Sequence, residues 1–228
     1  GKCPDDSFEC YSAQQLVKEV YLDSDTDVAV VSALWGGWDS NASPVKKKAY
    51  QLDKMGSFYS ILGQAVEKAA MHILRKHQAG ETCGVEEAYK EVARDYMNRA
   101  WKESKSGKWR ENPKKFCCLR EHYYETMPDK EQKDLAARMV EHAKTCLANF
   151  TDRALPRIAD VSRGMEFPIQ TPETPGDAEH FYFGGVKIYA IPDYAYRKGG
   201  VINIHDWKAG KQKSSHRDQL EVYGLWAA

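Results

Sequence analysis

With 228 residues, 42% hydrophobic and 29% charged, the chain has the balance of an ordinary globular protein, long enough for a core domain with a helical insertion. Its 33 basic and 33 acidic residues cancel, so bulk charge gives no support for a nucleic-acid partner, and any such partner must be met locally. No apolar run approaches the ~18 residues of a membrane span, and Gly1-Lys2-Cys3-Pro4-Asp5-Asp6 lacks the basic-then-apolar layout of a signal peptide, so an intracellular, cytoplasmic protein with no membrane partner is expected.

Residues 1–56 read as the least regular part of the chain. Asp23-Ser24-Asp25-Thr26-Asp27 alternates like a calcium loop but lacks its glycine and closing glutamate, which makes it a solvated turn. Val28-Ala29-Val30-Val31 is strand-like, and Trp35-Gly36-Gly37-Trp38 reads as a packed turn. From Ser57 to about Gln78 the pattern is helical: Phe58, Ile61, Leu62, Ala65, Val66, Ala69, Ala70, Ile73 and Leu74 recur at three- and four-residue spacing, with Glu67 beside the stripe. A second helix, about Val85 to Lys105, is expected to bury Ala88, Tyr89, Val92, Tyr96 and Ala100. Asn112-Pro113 breaks the chain, and a shorter helix is expected from Phe116 to Glu125. Pro128-Asp129 opens a long helix with Leu135, Met139, Ala143, Cys146, Leu147 and Phe150 on its buried side, ending near Pro156. No repeat or low-complexity linker interrupts the chain.

At Met165 the character changes. Glu166-Phe167-Pro168-Ile169 is strand-like, and a Pro/Thr/Gly loop runs through Gly176. Phe181 to Arg197 and Val201 to Lys208 are two β-rich runs parted by Lys198-Gly199-Gly200, a hairpin signal. Ser215 is placed to cap a last helix, with Asp218 three residues on.

Basic residues cluster in two places. Arg197, Lys198, Lys208, Lys211, Lys213 and Arg217 face a single acid, Asp206. Lys102, Lys105, Lys108, Arg110, Lys114 and Lys115 interleave with Tyr96, Trp101, Trp109 and Phe116, a mixture that suits either phosphates with stackable bases or a solvated helix face. The six cysteines, Cys3, Cys10, Cys83, Cys117, Cys118 and Cys146, form no CxxC pair and fit no usual zinc spacing, so buried free thiols are expected.

The hairpin permits a geometric deduction. If Gly199-Gly200 is a two-residue turn, paired residue numbers sum to 399 and Asp193 lies opposite Asp206. Like charges so placed are destabilising, and a Mg²⁺ or Mn²⁺ ion between them relieves the repulsion. Alternation sends Ile202, Ile204, Asp206 and Lys208 to one face and Asn203, His205 and Trp207 to the other. Lys208 then shares the side of the metal pocket, where it can orient a water and offset charge on a phosphate, and the main-chain carbonyl of Trp207 is a candidate metal ligand. Isolated, a D-x-K triplet is a weak signal and reads as an ordinary ion pair.

Ile191-Pro192-Asp193, then Ile204-His205-Asp206-Trp207-Lys208-Ala209-Gly210, then Gln219-Leu220-Glu221-Val222-Tyr223 resemble the PD-(D/E)xK nuclease superfamily and, through Q-x-x-x-Y, its RecB-like group. Leu62-Gly63-Gln64-Ala65-Val66-Glu67 resembles the family's G-x-x-V-H helix, with Glu67 where many members have histidine. Cys3-Pro4, Trp35-Gly36-Gly37-Trp38 and Tyr50-Gln51-Leu52-Asp53-Lys54 are loosely similar to the N-terminal region of some members.

The resemblance implies an α/β fold with a restriction-endonuclease-like core: helix, three-stranded mixed sheet and helix. A final strand is not contained in the sequence to Ala228, either because the parent chain continues and was cut or because that strand is missing. A largely helical insertion completes one nuclease-like domain, with the core helix at 57–78, the insertion at 84–160 and the catalytic sheet and helix at 165–228. It implies Asp193, Asp206 and Lys208 as catalytic, with Glu67 joining Asp193, Asp206 and the Trp207 carbonyl as metal ligands. Gln219 and Tyr223 line the substrate path, with Lys211 and Arg217 as further substrate contacts. The expected cofactor is Mg²⁺ or Mn²⁺ and the expected partner is nucleic acid, DNA before RNA, with room for a helicase or other protein. Iron–sulfur relatives need three cysteines after the Q-x-x-x-Y helix; none follows Tyr223, so this chain alone does not support a cluster. Two other functions fit less well. A module that binds nucleic acid with weak or no catalysis suits the Glu67 departure and zero net charge. A hydrolase using Cys117 or Cys118 with His122 has no accompanying motif.

Overall fold

A computed structural model of the chain describes residues 39, 41–125, 127–158, 180–198, 200–210 and 215–227. The expectations for residues 23–27, 28–31, 35–38 and 166–169, and for Cys3, Cys10, Gly199 and Lys211, lie outside them. In order, the elements are α1 (Pro44–Asp53), α2 (Phe58–Gln78), α3 (Val85–Ala88), a π-helical turn (Tyr89–Ala93), α4 (Arg94–Ser106), a 3₁₀ turn (Lys108–Arg110), α5 (Arg120–Tyr123) and α6 (Asp129–Asn149). A second π turn (Phe150–Ala154), α7 (Leu155–Ile158), strands β1 (His180–Phe183), β2 (Val186–Tyr189), β3 (Tyr194–Lys198) and β4 (Val201–His205), and α8 (Ser215–Ala227) follow. Contacts divide the chain into two compact units, one holding Phe58 and the described residues before it with Asn98–Gln132, the other Tyr59–Met97 and the described residues from Lys133 on.

In the first unit α1 is a helix the sequence reading missed. Ser43 caps it by accepting a hydrogen bond from Lys46 N–H at 3.3 Å, and Pro44 opens it with a preset φ. The helix expected over 116–125 shrinks to the single turn α5, because the chain before it is spent on a parallel bridge: Gly56 N–H donates to the Cys118 carbonyl (2.9 Å) and Arg120 N–H to the Gly56 carbonyl (3.0 Å). Phe58 stacks on Trp101 at 5.0 Å and His122 meets both edge-on. Trp109, 3% exposed, donates its indole N–H to the Ser104 carbonyl. Phe58 and Trp109 are buried and Trp101 and His122 half-buried, so Trp101 and Trp109 pack against this unit with exposed lysines beside them.

The second unit is built on α2. All nine apolar positions of its stripe are buried, with Ala65, Ala69 and Leu74 at 0%. The helical run after Val85 bears on it through the Tyr96 hydroxyl to Gln64 and the His72–Glu91 pair. Its π turn adds a residue to the repeat, so Ala93 rather than Val92 takes the buried place and Tyr96 is half-buried. The long helix buries Leu135, Met139, Ala143, Leu147 and Phe150 as expected, with Cys146 half-buried. Its described residues reach Ile158, close to Pro156. The π turn over Phe150–Ala154 loosens the backbone ahead of the proline, and α7 carries on to a fully buried Ile158.

The strands form two separate antiparallel hairpins, β1–β2 and β3–β4. The three-stranded mixed sheet is not formed among the described residues: Gly184 (φ 56°) and Gly185 (φ 80°) fold Phe181 to Tyr189 into a hairpin of its own, paired from His180↔Tyr189 to Phe183↔Val186. No described helix is long and apolar enough to cross a membrane.

Candidate active site

The β3–β4 register runs from Lys198↔Val201 to Tyr194↔His205, every pair summing to 399. Asp193 and Asp206 are the next positions beyond that last pair, at the mouth of the hairpin. Alternation then separates two faces. On one, Tyr196 stacks on His205 (5.6 Å, 19°), His205 on Trp207 (5.4 Å, 28°), and Phe150 meets Trp207 edge-on at 5.1 Å. Burial pushes the His205 imidazole down, towards its neutral form. This aromatic column anchors the hairpin and leaves the acids to the opposite face.

There, Asp193 accepts a hydrogen bond from Trp207 N–H at 2.5 Å. One oxygen of Asp206, a side chain only 8% exposed, takes the Lys208 ammonium. The other receives the Gln219 amide at 3.4 Å. Gln219 also donates to the Tyr223 hydroxyl (2.7 Å), which donates to the Ile191 carbonyl (3.0 Å). The Q-x-x-x-Y pair therefore braces α8 against both arms of the hairpin. Tyr223 is buried, its phenol pushed up to about 12 by that burial, so it lies inward rather than along an open path. Arg217 is 85% exposed and pairs with Glu221 at 3.1 Å; no described contact joins it to the carboxylates.

Electrostatics ties a residue of α2 to the same cluster. Burial raises the Asp193 carboxyl to about 7; the Trp207 hydrogen bond opposes the rise, and Glu67 and Asp206 add to it. Glu67 is itself raised, by burial first, with Asp206 adding and Lys68 and Lys208 opposing. Three carboxylates thus sense one another, and Lys208 alone among the hairpin's described groups answers them with positive charge. Such a set of hard oxygens suits Mg²⁺ in its chemistry. Its geometry is not closed on an ion: among the described residues no three of His, Cys, Asp and Glu stand as a ready metal cluster. Lys208 and the Trp207 N–H hold the oxygens such an ion would take.

One contact had no sequence signal. His142 on α6 lies 2.7 Å, ring Nε2 to oxygen, from the carbonyl of Ala209, the residue after Lys208. Elsewhere, the cysteine-hydrolase reading fails. Cys83, Cys117, Cys118 and Cys146 are free thiols, but burial raises Cys117 to about 11 and Cys118 to about 12, far from a reactive thiolate. The Nδ1 of His122 is engaged at 2.8 Å with the Ser104 hydroxyl rather than with a thiol.

No curated protein and no solved structure matches the chain. A family model does, over residues 45–228, and its description is the PD-(D/E)XK nuclease superfamily. Members generally use divalent metals such as Mg²⁺. Since that match takes in α2, both hairpins and α8 without a break, the chain belongs to the PD-(D/E)XK nuclease superfamily.

Proposed function

We propose that this chain is a divalent-metal-dependent nuclease of the RecB-like type, hydrolysing phosphodiester bonds of nucleic acid, DNA before RNA. The observation that carries the reading is the Asp193 carboxyl, raised to about 7 at a hairpin mouth it shares with Asp206 and Lys208, with Glu67 contributing to the shift. An acid raised by burial first and by neighbouring acids second, beside a lysine, makes a candidate site for a cation.

Glu67, Asp193, Asp206 and the Trp207 carbonyl are the proposed ligands for Mg²⁺ or Mn²⁺. The bound ion supplies Lewis-acid polarisation of the phosphate and a water acidified for attack. Asp206 holds the Lys208 ammonium at the edge of the carboxylates, where Lys208 would orient a water and offset charge on the phosphate. Gln219 and Tyr223 keep Asp206 and the Ile191 backbone in place, and Lys211 and Arg217 are proposed to meet the nucleic-acid backbone. Incubation with single- and double-stranded DNA in Mg²⁺ or Mn²⁺ tests this. Cleavage is expected, and cleavage that survives Asp206→Ala combined with Lys208→Ala sinks the reading.

A second reading, binding with little turnover, draws on the unclosed ligand set. It predicts DNA binding that weakens steeply with salt and no metal-dependent product.

A further inference from the structure

The β1–β2 hairpin buries little of what it carries. Its register puts His180 opposite Tyr189 and Tyr182 opposite Lys187, so these four side chains share one face. Tyr182 is 67% exposed and Tyr189 50%, and His180 and Lys187 are exposed as well. The His180 ring lies 5.8 Å from Tyr182 and 6.0 Å from Tyr189, and the Lys187 ammonium sits 4.9 Å from the centre of the Tyr189 ring. Residues 180–189 contain no aspartate or glutamate. The face is therefore aromatic and basic at once, and its exposed rings are tyrosines, which tolerate water at one edge while offering a flat apolar surface.

The root of this platform is firm. Ala190 is 0% exposed and Pro192 is buried, while Tyr223 holds the Ile191 carbonyl. Tyr189 and Asp193 are four residues apart, a span of about 13 Å at strand rise, comparable to a few nucleotides of one strand. We infer that the His180–Tyr182–Lys187–Tyr189 face is a stacking platform for single-stranded nucleic acid: unpaired bases lie on the two tyrosine rings, Lys187 meets the backbone, and the strand is led to Asp193. A duplex keeps its bases stacked on one another and offers none to these rings, so the platform selects single strands. This deepens the nuclease reading and rests on it for its purpose, though not for its binding chemistry.

The test uses the full chain in EDTA, where nothing is cut, with a fluorescent oligo(dT) 20-mer and a duplex of mixed sequence. Tyr182→Ala with Tyr189→Ala is expected to weaken binding of the single strand by about 5- to 150-fold per lost stack, with duplex binding changed by less than about 2-fold. Tyr182→Phe with Tyr189→Phe keeps the rings and is expected to keep the affinity. Lys187→Ala is expected to flatten the dependence of log K on log salt by about 0.7.

Four results overturn the platform: no binding of the 20-mer, equal loss for single strand and duplex, equal loss in the phenylalanine pair, or a monomer–dimer shift in the alanine pair, which would assign the rings to a second copy of the chain. A cleavage assay in Mg²⁺ run alongside keeps the two readings apart. Absence of cutting with ring-dependent binding retires the nuclease and leaves the platform; cutting with ring-independent binding does the reverse.

Discussion

Each of the two units buries a titratable group, and the two burials have different outcomes. In the first, His122 packs edge-on against Phe58 and Trp101 and burial drives its imidazole down to about 4. In the second, burial drives the Asp193 carboxyl up to about 7. Both shifts disfavour charge, as desolvation must. What differs is the company. The neighbours of His122 are aromatic rings and the Ser104 hydroxyl on Nδ1, with Lys105 and Asp129 pulling in opposite directions. Its buried Nε2 meets no hydrogen-bond partner among the described residues, which a neutral ring tolerates better than a charged one. The neighbours of Asp193 are Glu67, Asp206 and Lys208, ionisable themselves, so its charge is deferred rather than abolished. Burial keeps one group neutral among rings and holds the other, raised, among groups that can themselves carry charge.

Activity gives the largest separation between them. Asp206→Asn or Lys208→Met is expected to lower metal-dependent cleavage on the order of 10³-fold, the scale of losing a charge aimed at the transition state, whereas His122→Phe leaves it within about 2-fold. A cleavage rate that falls as far with His122→Phe would show that the comparison is drawn in the wrong place.

Stability against pH comes next, and the signs oppose. Asp193 is raised above its unfolded value of 3.8, so the metal-free fold binds the extra proton and loses stability as pH climbs from about 4 through 7. Asp193→Asn removes that loss and raises the melting temperature at pH 8, by an amount worth a few kcal/mol at most. Added Mg²⁺ raises the wild-type melting temperature more at pH 8 than at pH 6, because a cation binds the ionised acid; equal shifts at both would show that Asp193 is not a ligand. His122 is lowered from 6.5, so its contribution is full above pH 6.5 and is lost as pH falls towards 4. A smaller change is expected from His122→Phe, a flatter acid limb in thermal melts between pH 6.5 and 4, with cleavage retained.

Much of the second unit was legible in the chain because its signals are local or periodic. The α2 stripe follows from spacing, and the register that the ladder shows from Lys198↔Val201 to Tyr194↔His205 follows from the length of one turn, with Asp193 and Asp206 one step beyond the last pair. What misled were events that periodicity does not encode. Gly184-Gly185 carries the same turn chemistry as Gly199-Gly200, yet it stands inside a run of β-formers and was read through. The π turns at Tyr89–Ala93 and Phe150–Ala154 shift which residues face inward, with no residue type to announce them. The first unit is least legible in sequence, since the Gly56–Leu119 bridge pairs residues 63 apart and only folding brings them together. The four-residue spacing of Gln219 and Tyr223 shows one helix face but not a brace, because their acceptors lie on other elements.

The smallest expected effect concerns His142, the sort of residue a motif does not contain. Its Nε2 lies 2.7 Å from the Ala209 carbonyl and so ties the backbone just past Lys208 to α6, on the opposite side of the lysine from the Trp207 N–H that ties it to Asp193. Lys208 hangs between these two tethers, and loosening one lets its ammonium wander from the carboxylates. A single neutral hydrogen bond of this kind is worth about 0.5–1.5 kcal/mol, so His142→Ala is expected to lower kcat by about 2- to 10-fold with KM little changed. A residue that merely supported the helix would show instead as a lower melting temperature with kcat intact. His142→Gln carries an amide N–H to about the place of Nε2 and is expected to restore the rate. A glutamine variant as slow as the alanine variant would mean that the bond to Ala209 positions nothing.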